Sequence, residues 1–178
     1  MSERNEMKPR TGLLFALLLA GSFILQPQFE AEAQVFVGAS GSINDVGGAT
    51  FGIGARVGVV LHSSPEITVA MEGVGEYLFP PCDVVDCDAI SIQGNIIARR
   101  QVASYAEAYA GLGVVYQDFT LEDGELKHEG DDLGFSILVG TQSGQPGGIR
   151  PFLEVRFSFM DELENQAGAA LGIRLPVG

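Results

Sequence analysis

Tryptophan is absent from the 178 residues, and cysteine nearly so, with only Cys82 and Cys87 present. One pair of cysteines so close in sequence cannot staple a whole domain, so no disulfide framework specifies this fold. Basic residues are scarce: Lys and Arg total 10 against 23 Asp and Glu, a formal net charge of -13. Nucleic acid is bound through clustered Lys and Arg on phosphates, so it is excluded as a partner. Long apolar runs are missing as well. The longest, TGLLFALLLAGSFIL at 11–25, falls short of the roughly 20 residues that a membrane-spanning helix needs. Beyond residue 34 no segment carries a helical period.

That apolar run follows Lys8, Pro9 and Arg10 and precedes the small-residue site Ala31-Glu32-Ala33. A basic start, an apolar middle and a small-residue site define a secretory signal peptide. Residues 1–33 are therefore read as a removable leader and 34–178 as one exported domain. Met1 and Met7 both stand as possible starts. Export leads to a compartment where disulfides persist, and Cys82 and Cys87, in PPCDVVDC, are close enough for a local bridge that stiffens one loop.

What the mature chain has in plenty is alternation. Apolar and small or charged residues take turns along VFVGASGSI (35–43), TFGIGARVGVVLH (50–62), EITVAMEGVGEYLF (66–79) and AISIQGNIIARR (89–100). The same holds for ASYAEAYAGLGVVYQ (103–117), LGFSILVGT (133–141), IRPFLEVRFSFM (149–160) and AGAALGIRLPV (167–177). Period two broken by turn residues predicts β-strands. Sorted by parity, one face holds residues such as Val37, Ile53, Val57, Ile92, Leu112, Ile137, Val155 and Leu171 and is free of charge. The other holds Gly, Ser and Ala with Arg56, Glu72, Glu76, Arg99, Glu107, Glu154, Arg156 and Arg174.

Parity does not say which face is inside, but composition does. The charged face carries Arg and Glu in equal number and no Lys. A narrow interior must pair its charges, and Arg forks onto carboxylates. Glycines crowd the same face, including Gly52, Gly54, Gly58, Gly140 and Gly172, and leave room for long side chains in a barrel of about eight strands. The apolar face is uniform, as contact with lipid permits. These features predict an all-β, eight-stranded antiparallel up-and-down transmembrane barrel whose lumen holds a salt-bridge network of those eight charged residues. The connections agree. Those after the first, third, fifth and seventh segments collect Asp45, Asp83, Asp86, Asp88, Asp118, Glu122, Asp123, Glu125, Glu129, Asp131, Asp132, Asp161, Glu162 and Glu164, with Lys127 as their one base. The longest connection is expected at 118–132.

The leader, the alternating segments, SYAEAYAGLGVVY (104–116), PFLEVRFSF (151–159) and ALGIRLPVG (170–178) together resemble the small eight-stranded outer-membrane barrels, the OmpA/OmpX-like and OmpW-like group. The resemblance covers nearly all of 34–178. It implies residence in the outer membrane of a diderm bacterium and, as partners, outer-membrane lipid and the outer-membrane assembly machinery. A final aromatic residue, usual in that group, is replaced here by Leu175-Pro176-Val177-Gly178.

Catalytic and metal readings are weaker. His62 beside Ser63 and Ser64 suggests a lipid hydrolase, but no oxyanion element accompanies it. His128 stands in the acidic stretch LEDGELKHEGDD (121–132), which lacks the spacing of a calcium loop and is read as solvated. No cofactor, metal site or enzymatic activity is expected. The role is structural or surface-interacting, with an unidentified surface partner. Two alternatives remain open: a soluble, lipocalin-like barrel with its apolar face inward, and an outer-membrane lipid-modifying enzyme.

Overall fold

A computed structural model describes residues 34–45, 48–81, 86–123, 126–144, 147–161 and 163–177. The expected leader, 1–33, lies outside them. Eight strands run in chain order: β1 (Val35–Asp45), β2 (Ala49–Ser63), β3 (Thr68–Phe79), β4 (Asp86–Ala103), β5 (Ala106–Asp123), β6 (Leu126–Ser143), β7 (Arg150–Met160) and β8 (Gln166–Val177). Each pairs antiparallel with the next, and β1 pairs with β8, from Val35 opposite Val177 to Asn44 opposite Gly168. The sheet closes into a barrel, with every strand paired on both sides through its central part. Every strand reaches or exceeds the roughly 9–11 residues needed to cross a bilayer.

The faces fall as the charges required. Glu154 and Arg156 are 1% and 5% exposed, whereas Ile53, Leu112 and Leu171 on the alternate parity are more than 60% exposed. A soluble barrel that held ligand against its Val/Ile/Leu face would show the reverse, so that alternative is overturned. An outer wall of this kind, with its backbone hydrogen bonds satisfied within the sheet, is what a bilayer interior accepts. Exposed aromatics gather toward the rim opposite the chain termini. Phe51 faces Phe79 in register, Tyr77 meets Phe79 edge-on at 4.9 Å, and Phe135 stacks on Phe159 at 4.7 Å.

One expected element is corrected. Residues 118–132 are not a long loop. β5 and β6 stay paired through Asp118 opposite Asp131 and Glu122 opposite Lys127 to Asp123 opposite Leu126. Only 124 and 125 separate the strands. An Asp-Gly step between alternating runs is a hairpin signal, and here it outweighs the acidity that suggested a loop.

Three of the lumen-side glycines make room for rings. A Cβ on Gly58 would stand 2.2 Å from the ring of Phe36, one on Gly140 2.4 Å from Tyr109, and one on Gly172 2.7 Å from Phe152. Only at Gly54 is a carboxylate side chain, that of Glu76, the nearest neighbour. Gly58→Ala is expected to lower stability by about 1–3 kcal/mol through overpacking. Gly75→Ala, on the lipid wall with nothing within 4 Å, is expected to match wild type. Thermal loss of heat-modifiable migration in detergent measures both.

Candidate functional site

A connected polar network occupies the centre of the lumen. At its centre Arg56, from β2, forks onto Glu154, from β7, through Nη1 at 3.1 Å and Nη2 at 3.0 Å. Arg56 Nη1 also reaches Glu72 of β3 at 3.0 Å. Arg174, from β8, grips the other side of Glu72 with Nε at 2.8 Å and Nη2 at 3.1 Å, and its Nη2 lies 3.6 Å from Glu154. Toward the rim opposite the termini, Arg156 donates to Glu76 at 2.7 Å and to Glu154 at 3.1 Å. Gln93 donates to Glu76 at 3.3 Å. Toward the termini, Gln142 accepts from Arg174 at 3.1 Å and donates to Glu107. The chain of contacts runs unbroken from Gln93 to Arg150.

Burial strengthens each contact and raises the cost of leaving one unmade. Forked guanidinium–carboxylate pairs suit such a site because two parallel bonds satisfy both groups at once. The rings reinforce them. The Arg174 guanidinium lies 4.2 Å from the Phe152 ring centre and 4.8 Å from that of Tyr109, and Arg56 lies 4.5 Å from Phe152. Cations over aromatic faces are held most firmly where water is excluded.

The pairings within the network are specific. Glu154 takes Arg56 as its main partner, with Arg174 secondary. Arg156 pairs with Glu76 and also bonds Glu154, two residues away on its own strand. Long side chains close a gap that the backbone spacing alone leaves at about 7 Å. Glu107 belongs to the rim, half-buried and bound to Arg150 at 3.4 Å. Arg99 is buried in the lumen, yet it lies over the Phe36 ring at 4.6 Å and bonds no carboxylate among the described residues. It stands beside the salt-bridge network rather than in it.

Tyr109, whose hydroxyl donates to Glu154 at 3.1 Å, was missed in the sequence, as were Gln93, Gln142, Phe36 and Phe152. All share the parity of the charged face, and that was the signal available. His62 is exposed beside a β-bulge where the β2–β3 register shifts. Neither neighbouring serine hydroxyl bonds it: Ser63 meets Thr68 at 3.3 Å and Ser64 donates to the Ile67 carbonyl at 3.0 Å. His128 holds a register position opposite Leu121, its side chain outside the described residues. Of the expected Cys82–Cys87 bridge, Cys82 also lies outside the described residues; Cys87 is the second residue of β4 and is not a free thiol.

A closed barrel with an apolar outer band and a charge-paired interior defines a class, the small membrane-spanning β-barrels. Solved structures of that class share the fold. The attachment invasion locus protein Ail of Yersinia pestis is similar with a TM-score of 0.63 at 13% identity, over 83% of this chain and 100% of Ail. Neisserial surface protein A has a TM-score of 0.60 at 13% identity, over 82% of this chain and 97% of that one. The N-terminal barrel of Pseudomonas aeruginosa OprF has a TM-score of 0.52 at 15% identity, over 81% and 100%. No protein-family model matches the sequence, and no curated protein matches it.

Proposed function

We propose that this chain is a structural barrel of the outer membrane that presents an acidic sheet at the cell surface for contact with other polypeptides, and that it catalyses no reaction. Outer-membrane lipid and the assembly machinery that inserts such barrels are its constitutive partners in this reading. One observation carries it: three strands outrun the barrel. The β3–β4 pairing stops at Leu78 opposite Ala89, and the β6–β7 pairing begins only at Gly134 opposite Met160. Between them β4, β5 and β6 continue to Asp86 opposite Glu122 and Asp123 opposite Leu126.

The extension includes Asp86, Asp88, Asp118, Glu122, Asp123, Glu129, Asp131 and Asp132 against Lys127. Asp118 and Asp131 sit directly opposite each other, where like charges oppose pairing. Such a repulsion is tolerated where basic partners relieve it. The β6 stretch before Leu133 pairs with β5 alone, and a strand edge of this kind is where an extended segment adds by main-chain hydrogen bonds. The strand extension lies on one side of the barrel only, and the longer side of such barrels faces outward.

An epitope inserted between Asp123 and Leu126 should be labelled by antibody on intact cells. Labelling only after permeabilisation sinks the orientation. The same cells should retain a lysine-rich peptide, with retention falling as salt rises and falling further in Asp118→Asn/Asp131→Asn. Equal retention by the double variant sinks the acidic-sheet role.

A further inference from the structure

The charges on the outer wall divide by end. Asp45, Asp88, Asp118 and Asp131 share the outward parity of their strands and stand toward the rim opposite the termini. At the terminus-side end, the outward ionisable residues of the described strands are His62, opposite Val69 on β3, and Arg100, opposite Ala108 on β5. Between Asp88 and Arg100 the outward positions of β4 are Ile90, Ile92, Gly94, Ile96 and Ala98, none with a polar side chain. The 12 residues from 88 to 100 cover about 40 Å along a strand, at roughly 3.3 Å each. A strand tilt of about 35–45° turns that into roughly 28–33 Å along the barrel axis. The hydrocarbon of a bilayer is roughly 30 Å thick, so Arg100 falls where hydrocarbon gives way to headgroups.

Its surroundings are those of an interfacial anchor. Arg100 is exposed, and no described carboxylate pairs with it, Glu66 of the β2–β3 turn included. Val102 and Tyr105, both more than 60% exposed, follow it into the β4–β5 turn. The Tyr105 carbonyl accepts from the Gly144 N–H of the β6–β7 connection at 3.0 Å, which ties this turn to its neighbour. An apolar stem with a charged head, beside a ring with a polar tip, settles at a membrane–water boundary. The anion that a bilayer supplies at this depth is the lipid phosphodiester, and a guanidinium fork matches its paired oxygens. A zwitterionic headgroup brings its own cation to that phosphate, whereas an anionic one leaves the charge to the protein.

We propose that Arg100 is a headgroup site on the terminus-side leaflet, where its guanidinium binds the phosphodiester of an anionic phospholipid. The site rests on the barrel spanning a bilayer and is independent of the acidic sheet at the other rim. The chain carries a formal net charge of -13, so bulk attraction does not draw an anionic lipid to it, and a preference for one reports a local site. The test takes the whole folded barrel in uncharged detergent with equal small amounts of phosphatidylglycerol and phosphatidylcholine, and native mass spectrometry counts the lipid each barrel retains. Wild type should prefer phosphatidylglycerol by about fivefold, the increment of one basic residue at an anionic surface. Arg100→Gln should retain both lipids equally, and Arg100→Lys, which keeps the charge and loses the fork, should fall between. Equal retention by wild type overturns the proposal, and so does an undiminished preference in Arg100→Gln. Should Arg100→Gln not fold, a full wild-type preference in Arg100→Lys overturns it equally. Failure of the membrane reading itself shows differently, as a wild-type chain without heat-modifiable migration in detergent, and takes the site with it.

Discussion

Glu154→Ala should destabilise the folded barrel by about 3–5 kcal/mol, the range for breaking a buried ion pair by removing one partner. Glu154 is 1% exposed and is the point where the network converges. Arg56 forks onto it, Arg156 and Arg174 approach it, and Tyr109 donates to it. Its removal leaves three buried carboxylates, Glu72, Glu76 and Asp132, against the four buried guanidiniums, and leaves the Tyr109 hydroxyl without its acceptor. Glu72 cannot compensate, because Arg56 and Arg174 already occupy its oxygens. Glu154→Gln should recover part of the loss, since the amide keeps the shape and one acceptor. Glu107→Ala is the contrast. Its pair with Arg150 is solvated at the rim, and such pairs contribute under about 1 kcal/mol. Equilibrium urea unfolding in detergent measures all three. A Glu154→Ala barrel as stable as the Glu107→Ala barrel would mean that water screens the centre of the lumen.

How far the sequence could be read follows from what alternation encodes. Period two places each residue on one of two faces, and a run such as Leu153, Glu154, Val155, Arg156 leaves no doubt which residues share a face. The balance of Arg and Glu then decides which face is inside, because only an interior must neutralise itself. Alternation says nothing about partners across the lumen. Arg56 and Glu154 lie 98 residues apart, and their meeting depends on strand stagger around the closed barrel, which no local pattern records. Parity does not distinguish Arg99 from the network residues, and it gives no sign of the ring partner Phe36, which stands among small and charged neighbours. Glycine on the charged face signals space without naming its occupant. At Gly58, Gly140 and Gly172 the space belongs to Phe36, Tyr109 and Phe152, a distinction that requires knowing which residue sits across the strand. The β5–β6 hairpin was legible in its Asp-Gly step, but the density of acids around it masked the strand pattern.

Val155→Arg should block insertion rather than merely loosen the barrel. Val155 stands between Glu154 and Arg156 on β7, in register with Val139 on β6 and Ala169 on β8, and it faces out of the barrel. An arginine there meets the apolar wall, at a cost of about 2–4 kcal/mol near the bilayer midplane. The carboxylates that could neutralise it lie across the sheet, on the lumen side. The new side chain reaches them only if β7 slips by one residue, and that slip turns Glu154 and Arg156 out toward lipid. Escape from one unpaired charge therefore creates two, and the whole central network goes with them. The same asymmetry makes Val155→Leu harmless, since the wall is uniform and makes no close fit there. Folding yield into lipid vesicles, read from heat-modifiable migration, distinguishes the variants. A normal yield for Val155→Arg would mean that this face meets something other than hydrocarbon. A poor yield for Val155→Arg beside a normal one for Val155→Leu ties the loss to charge in lipid, because the two differ little in bulk beside the charge that only one of them carries.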